Sequence, residues 1–518
     1  MQLGLQAPLF PWRELDDPPD LRLVRQVLAA LPDGALLASL RAARGKGRND
    51  YPIEWLWGVL VLTHALRHPT IEACLAELRR NEGLRALLQI PTAAQVPKAW
   101  NVSRFQAVLG EPPHRDLLEQ MFVAMAARLA AAVPALGTRL AGDSTALKAR
   151  HHAAAGVAED TAAGLSQPSG GKKEYTDDTG KVVKSFEWFG YKLHLLVDAV
   201  HEVALAYTLT SPKQGDGETL PTLLAQLKEV LPAGRAQTLA YDKAADSAAV
   251  HQALRAAQIK PVIELRHQWQ EATPRPLPGR KPEALPVVHY DELGTIYCEA
   301  PAVAPGALHQ MQFVGREQAA GTLKYRCPAL AGHCQCPAEK LCNQAKIYGA
   351  TVRVKQDLDL RRFATLPRAT AKFDQLYDGR TAVERVNARL KVLWGADDGN
   401  VTGARRFAAQ VGVVMVVHEA FATVLAATPR LGPGKTLGAV NLGPIQAQLQ
   451  AALAAQATPR LIPQTPRLAA AYLAWRKHRQ RRKPRKPAAR PPAAAASGPA
   501  APPPPPRLRQ PRLPCAAA

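Results

Sequence analysis

The sequence predicts an α/β protein: a mixed sheet flanked by helices and carrying an inserted β-rich segment. An all-helical N-terminal domain precedes this core, and a disordered basic tail follows it. Three observations lead there. Residues 20–125 repeat apolar side chains at helical spacing, and residues 136–257 run strand, hairpin, helix, strand, helix. After Trp475 the chain turns to Arg and Lys and then to Pro/Ala repeats, which cannot bury a core. The expected boundaries are 1–125 for the helical domain and 126–425 for the α/β domain with its insertion at about 265–350. The terminal helix and tail take 426–518.

The chain has 518 residues, 47% of them hydrophobic, enough for two or three domains with sizeable cores. Its formal net charge of +23 favours a polyanionic partner, nucleic acid ahead of an anionic membrane. The tail inflates that figure, since residues 476–512 hold about a dozen Lys and Arg and no acid, but the remainder is still basic. The most apolar stretch, Trp55 to Leu62, is flanked by Glu54, His64 and Arg67. A membrane span needs roughly 20 apolar residues, so this is expected to be a buried helix. No signal pattern opens the chain. Seven Cys, an odd number and mostly clustered, point to a reduced compartment, the cytoplasm.

Taken in order, Leu21, Val24, Val27 and Leu28 recur at helical spacing, as do Ile71, Leu75 and Leu78, and then Leu84, Leu87 and Leu88. Pro69-Thr70 predicts a turn and N-cap between two helices. Such short helices suit either a helix-turn-helix DNA reader or a packed bundle. Thr138–Ala141 predicts a short strand ending at Asp143, and residues 152–184 a mobile loop. Tyr191–Val197 and Val203–Leu209 predict a hairpin turning through Asp198–Glu202. A helix at Leu220–Leu231, a strand at Gln237–Tyr241 and a helix from Ser247 to Ala257 come next. Beyond the insertion, helices are expected at about 380–394 and across Phe407–Val424.

The most specific local signal is Tyr377-x2-Arg380-x3-Glu384-x6-Lys391. On an α-helix Arg380, Glu384 and Lys391 share one face, beside an apolar stripe of Val383, Val386, Leu390 and Leu393. One acid is thus held among groups able to grip phosphate, although a solvated face with ordinary ion pairs would look similar. Two further acids follow strand candidates: Asp143 in Leu140-Ala-Gly-Asp-Ser-Thr-Ala, and Asp242 in Leu239-Ala-Tyr-Asp-Lys-Ala-Ala-Asp. Either alone reads as a turn or N-cap residue. Three clustered carboxylates repel unless cations neutralise them, and hard oxygen ligands select Mg²⁺ or Mn²⁺ over zinc. Two such ions roughly 3.5–4 Å apart suit in-line phosphodiester displacement.

The Tyr-Arg-Glu-Lys spacing resembles the signature of bacterial insertion-sequence DDE transposases. Gly190-Tyr-Lys-Leu-His-Leu-Leu-Val-Asp198 and Ser211-Pro-Lys-Gln-Gly-Asp216 are similar to their second and third strands and the following turn. Tyr241-Asp-Lys-Ala-Ala-Asp-Ser247 resembles their second catalytic block, and Val401-Thr-Gly403 the segment trailing their acidic helix. Arg48–Leu88 with Ser103-Arg-Phe105 resembles their helical N-terminal domain, so the likeness covers roughly residues 35–425. It implies an RNase H-like core in which Asp143, Asp242 and Glu384 hold Mg²⁺ or Mn²⁺, and in which Tyr377, Arg380 and Lys391 contact DNA at the cleaved end. It also implies double-stranded DNA partners (terminal inverted repeats and target) and a homodimer in the synaptic complex. The rival readings are a catalytically inactive, DNA-binding descendant and an RNase H-like nuclease without strand transfer.

Asp198 also ends an apolar strand and competes for a catalytic place, though the family pattern puts the first Asp in the Gly-Asp-Ser/Thr block. His201-Glu202 replaces a more usual small or Gly-containing hairpin, which is expected to affect only the turn. Trp269 is either packing or a platform for a flipped base. In the insertion, Cys327, Cys334, Cys336 and Cys342 could form a structural zinc site. They lack paired Cys-x2-Cys knuckles, and Cys334-x-Cys336 would be cramped, so scattered reduced thiols are the other reading.

Overall fold

The computed structural model describes residues 19–45, 50–150, 168–176, 181–266, 269, 273–281, 284–344, 347–398 and 401–426. The expected disordered tail and most of the expected loop at 152–184 lie outside them. Helices α1 (Pro19–Ala30), α2 (Gly34–Arg44), α3 (Ile53–Ala65), α4 (Ile71–Arg80), α5 (Glu82–Leu87), α6 (Ala99–Leu109) and α7 (His114–Ala132) come first. The N-cap expected at Thr70 is present: its hydroxyl accepts the Ala73 N–H at 3.1 Å. The apolar run at Trp55–Leu62 is the middle of α3, which is buried from Leu56 to Ala65.

Strands β1 (Arg139–Lys148), β2 (Ser169–Thr176), β3 (Val182–Asp198) and β4 (Ala204–Thr210) follow. Then come α8 (Asp216–Val230), β5 (Thr238–Tyr241), α9 (Ala248–Ala256) and β6 (Lys260–Ile263). The sheet runs β4-β3-β1-β5-β6, with β2 on the first half of β3. Pairing is antiparallel from β4 to β1 and parallel from β1 to β6, so the sheet is mixed as expected. Two expectations are corrected. β1 does not end at Asp143 but continues to Lys148, because β3 pairs with it along Leu140–Lys148. Residues 169–176 are not loop: their backbone groups pair with Val182–Gly190, forming a ribbon whose β3 edge is exposed from Val182 to Glu187.

Later in the chain are α11 (Ala371–Tyr377), a 3₁₀ turn at Asp378–Arg380, α12 (Thr381–Trp394) and α13 (Ala404–Ala426). Helix α12 packs on β1 and β3, while α13 is surrounded by α1, α3, α6 and α7. Helix α13 is long and apolar enough to cross a membrane, but 94% of its apolar window is buried inside the protein, as befits a core helix. Here apolar contact is supplemented by polar clamps. His64 Nδ1 lies 2.9 Å from the Trp394 carbonyl oxygen, and Arg67 donates to the Val392 carbonyl and pairs with Asp398. At Gly110 an added Cβ would strike the backbone of Arg405, so only glycine permits that helix approach.

The described residues divide into two compact units, one formed by the chain up to Ile263 and from Leu376 onward, the other by Glu264–Gln375. The second contains β7 (Arg275–Pro276), β8 (Val287–Tyr290), β9 (Ile296–Ala300) and β10 (Ala304–Gln310) in one antiparallel sheet. β11 (Gln312–Glu317), β12 (Thr322–Arg326) and β13 (Thr351–Lys355) form another, with α10 (Glu339–Asn343) in the connection. Leu277, Val288, Ile296, Met311, Leu323, Val352, Val354 and Phe363 give it a hydrophobic core of its own.

Candidate active site

The acid pair is built by strand register. In the parallel β1–β5 pair Ala141 stands opposite Ala240. Two residues further on, each chain presents an acid, Asp143 and Asp242, and a two-residue step keeps both on the same face. Between them on β1, Gly142 leaves room for the ring of Tyr241, which an added Cβ would meet at 2.2 Å. Asp242 caps the following turn, its Oδ1 accepting the Ala244 N–H at 2.9 Å, which fixes one carboxylate oxygen. Burial, reinforced by the negative charges of Asp242 and Asp216, pushes the Asp143 carboxyl up to about 6 despite a backbone hydrogen bond at Ser144 and the nearby Lys173. The same three acids, after burial, raise the Tyr241 phenol well above its usual value.

Asp216 was not among the residues expected at the site. It is the first residue of α8, where the helix dipole favours an anion. Its Oδ1 lies 2.9 Å from His194 Nδ1 and 3.2 Å from Lys192 Nζ. Burial alone would raise its carboxyl, but the bond to His194, the charge of Lys192 and a bond from Ser144 outweigh it and bring it down to about 2. His194 is fully buried and also lies 2.9 Å from the Thr210 hydroxyl. The charges of Lys192 and Asp216 thus balance beside Asp143, whose own charge is not balanced in this way. The signal was present in the alternation Tyr191-Lys-Leu-His and in an acid opening a helix. Only the pairing of Ser144 with His194 gives it a place beside Asp143.

The acidic helix holds the rest. Tyr377 closes α11, and Arg380 ends the 3₁₀ turn that leads into α12. Arg380 is paired with Glu384 at 3.0 Å and lies 5.8 Å from the centre of the Tyr377 ring. Burial would lower its guanidinium, but Tyr377, Glu384, Asp143 and Asp242 together raise it, so one cation stands in the field of all three acids. Lys391 reaches from α12 to the β1 backbone, its Nζ donating to the Ala146 carbonyl at 2.5 Å, and burial lowers its ammonium. Glu384 is 52% exposed and held by Arg380. Among the described residues no three His, Cys, Asp or Glu side chains stand ready to hold a metal ion.

What anchors α12 was misread from the sequence. Glu202 was expected to matter only to its turn. Its carboxylate is instead buried against Arg389 and Arg385 of α12, and Arg389 Nη1 donates to the Glu202 carbonyl at 3.2 Å. Burial explains the substitution, since a small turn residue would leave Arg389 inside without its counter-charge. Asp198, the rival acid, is buried opposite Leu140 near the start of β1, three register positions from Asp143. Its carboxylate accepts the N–H groups of Gly137, Val200 and His201 at 2.8, 2.8 and 2.5 Å. It is the keystone of a turn.

In the second unit, Trp269 has Arg275 3.8 Å from its ring centre and meets Tyr290 edge-on at 5.5 Å, an arrangement that packs the ring. Of the four cysteines expected to group, Cys327, Cys336 and Cys342 line one small cavity with Cys298, and Cys334 is not part of its lining.

Two neighbouring acids, Asp143 within β1 and Asp242 just after β5, lie on a mixed sheet, and helix α12, which packs on β1, carries a third. The family profile described as "Transposase DDE domain" matches residues 135–418, more than half of the chain, and the protein belongs to that family. It is a transposase, and DNA is its substrate class. No curated protein matches the chain.

Proposed function

We propose that the protein cuts and rejoins the ends of an insertion sequence by metal-assisted phosphodiester chemistry on an RNase H-like core, with Asp143, Asp242 and Glu384 as metal ligands. The observation that carries this reading is the β1–β5 register, which makes Asp143 and Asp242 neighbours, with the Asp143 carboxyl raised by burial and by the charge of Asp242. The donor set, all carboxylate oxygen, fits Mg²⁺ or Mn²⁺, and the raised Asp143 carboxyl is what a site completed by a cation would show in its absence. Bound there, divalent ions supply activation of a water or 3′-hydroxyl and stabilisation of the leaving oxygen. The protein's own part is positional. Asp143 and Asp242 are held by strands, and Glu384 by a helix that the buried Glu202–Arg389 pair fixes to the sheet.

Arg380 has two tasks in this reading. Without DNA it neutralises the acids and keeps Glu384 turned to itself. With a DNA end in place its guanidinium would turn to the phosphate, which would leave Glu384 free to hold a divalent ion together with Asp143 and Asp242. Tyr377 and Lys391 complete the grip on the cleaved end, and two such chains hold two ends in a synaptic dimer. The working compartment proposed is the cytoplasm.

The test is cleavage of DNA carrying the element's ends with Mg²⁺, by the native protein and by Glu384→Gln. Cutting that disappears in the variant while end binding persists supports the ligand assignment. Equal cutting by both would remove Glu384 from it, and end binding without cutting by either would indicate an inactive descendant.

A further inference from the structure

Four cysteines from separate elements of the second unit line one small cavity, although their side chains as they stand do not form a metal-holding group. Cys298 lies on β9, opposite His309 of β10 and Val288 of β8. Cys327 follows β12 directly, its N–H bonded to the Ala350 carbonyl at 2.9 Å. Cys336 sits in the loop before α10, and Cys342 on α10 itself. The four line a single cavity of about 20 Å³ together with Pro286, Met311, Pro328, Glu339 and Ala350. That volume admits one water-sized body. None of the described cysteines is in a disulfide.

We propose that Cys298, Cys327, Cys336 and Cys342 bind one structural Zn²⁺ as four thiolates around this cavity.

Cys298 removes the difficulty in the sequence reading. With Cys334 and Cys336 both as ligands, two bonds would have to come from residues with only Gln335 between them. With Cys298 in place of Cys334, the ligands come from β9, the end of β12, a loop and a helix, a spread that a tetrahedral ion can accept. The thiols repel as anions. Binding one Zn²⁺ would release the four thiol protons to solvent. An outer partner is already set, since the Asn343 side-chain amide donates to Cys327 Sγ at 3.6 Å, a bond that strengthens with sulfur charge. Asn343 Oδ1 in turn accepts the Ala350 N–H at 2.6 Å, tying that amide to the backbone beside β13. Cys336 and Cys342 are half-buried, on a loop and a five-residue helix, and side-chain rotation there closes the set to Zn–S bonds of about 2.3 Å. The ion would staple the segment between β12 and β13, which is otherwise poor in regular structure.

The experiment uses the full chain, purified with a thiol reductant and without chelator. Zinc content is measured by elemental analysis for the native protein, Cys298→Ser, Cys336→Ser and Cys334→Ser. One zinc per chain is expected in the native protein and in Cys334→Ser, with loss in the other two. Because Cys298→Ser and Cys336→Ser could fail to fold, the native protein is also stripped of zinc and titrated with Co²⁺. Intense visible bands of tetrahedral Co²⁺ with sulfur-to-metal charge transfer, saturating at one ion and displaced by Zn²⁺, support the site. Native protein that holds no zinc and gives no such spectrum overturns the proposal. Zinc retained by folded Cys298→Ser, or lost from Cys334→Ser, overturns this choice of ligands.

Discussion

Glu202, in the turn between β3 and β4, is ion-paired with Arg389 of α12, and both side chains are only 1% exposed. The helix that bears the third acid is therefore tied to the sheet by a buried charge pair as well as by its apolar stripe. Arg385, one turn earlier on α12, pairs with the same carboxylate. Any loosening of this contact shifts Glu384 relative to Asp143 and Asp242.

Removing one partner should be costly. Glu202→Gln leaves Arg389 buried without its counter-charge, and a loss of about 3–5 kcal/mol is expected in urea unfolding. Replacing both, with Glu202→Gln and Arg389→Met together, should recover much of that loss. Full additivity of the two single losses would show that the pair is not coupled.

Asp143 should oppose stability while serving function. Its folded carboxyl, at about 6, lies above the unfolded value near 3.8, so the folded state binds the proton more tightly. The sign follows: without metal, this group costs stability at neutral pH, and the cost disappears as pH falls below the unfolded value. Asp143→Asn should therefore stabilise the metal-free protein at pH 7.5 by on the order of 1–3 kcal/mol. The same variant should abolish Mg²⁺-dependent cutting. A lower melting temperature for Asp143→Asn without metal would contradict the reading.

The pH dependence of cleavage follows from the same group. Proton and cation compete for Asp143, so at limiting Mg²⁺ the cleavage rate should fall as pH drops through about 6. Raising Mg²⁺ should move that midpoint to lower pH, because metal binding displaces the proton. A midpoint that ignores metal concentration would assign the titration elsewhere.

Asp198 gives the contrast. Its carboxylate carries the turn through three backbone N–H bonds and lies 2.9 Å from His201 Nδ1. Asp198→Ala leaves several donors buried without an acceptor, with about 1–3 kcal/mol expected for each. The melting temperature should drop markedly, whereas protein that remains folded below it should keep Mg²⁺-dependent cutting. Normal stability with lost cutting would restore Asp198 to the catalytic set.

Much was legible along the chain because it depends on short-range periodicity. The amphipathic helix carrying Glu384, the strand into Asp242 and the Thr70 cap each follow from residues a few positions apart. The Tyr-Arg-Glu-Lys spacing places its members on one helical path without reference to the rest of the molecule. The length of β1 was not readable in this way. Its continuation through Asp143 depends on β3, whose partner groups lie far along the sequence.

The sequence by itself determined the chemistry available: three acids, and a Tyr, an Arg and a Lys spaced around one of them. Tertiary structure decided which acids are neighbours. Register brings Asp143 beside Asp242 and sets Asp198 opposite Leu140, three positions back along β1, although all three stand in or just after strands. Burial decided the rest, pairing Glu202 with Arg389, balancing Asp216 with His194 and Lys192, and drawing Cys298 to the other thiols. Local propensity acts over a few residues, whereas strand register and desolvation act between segments that only the completed core brings together.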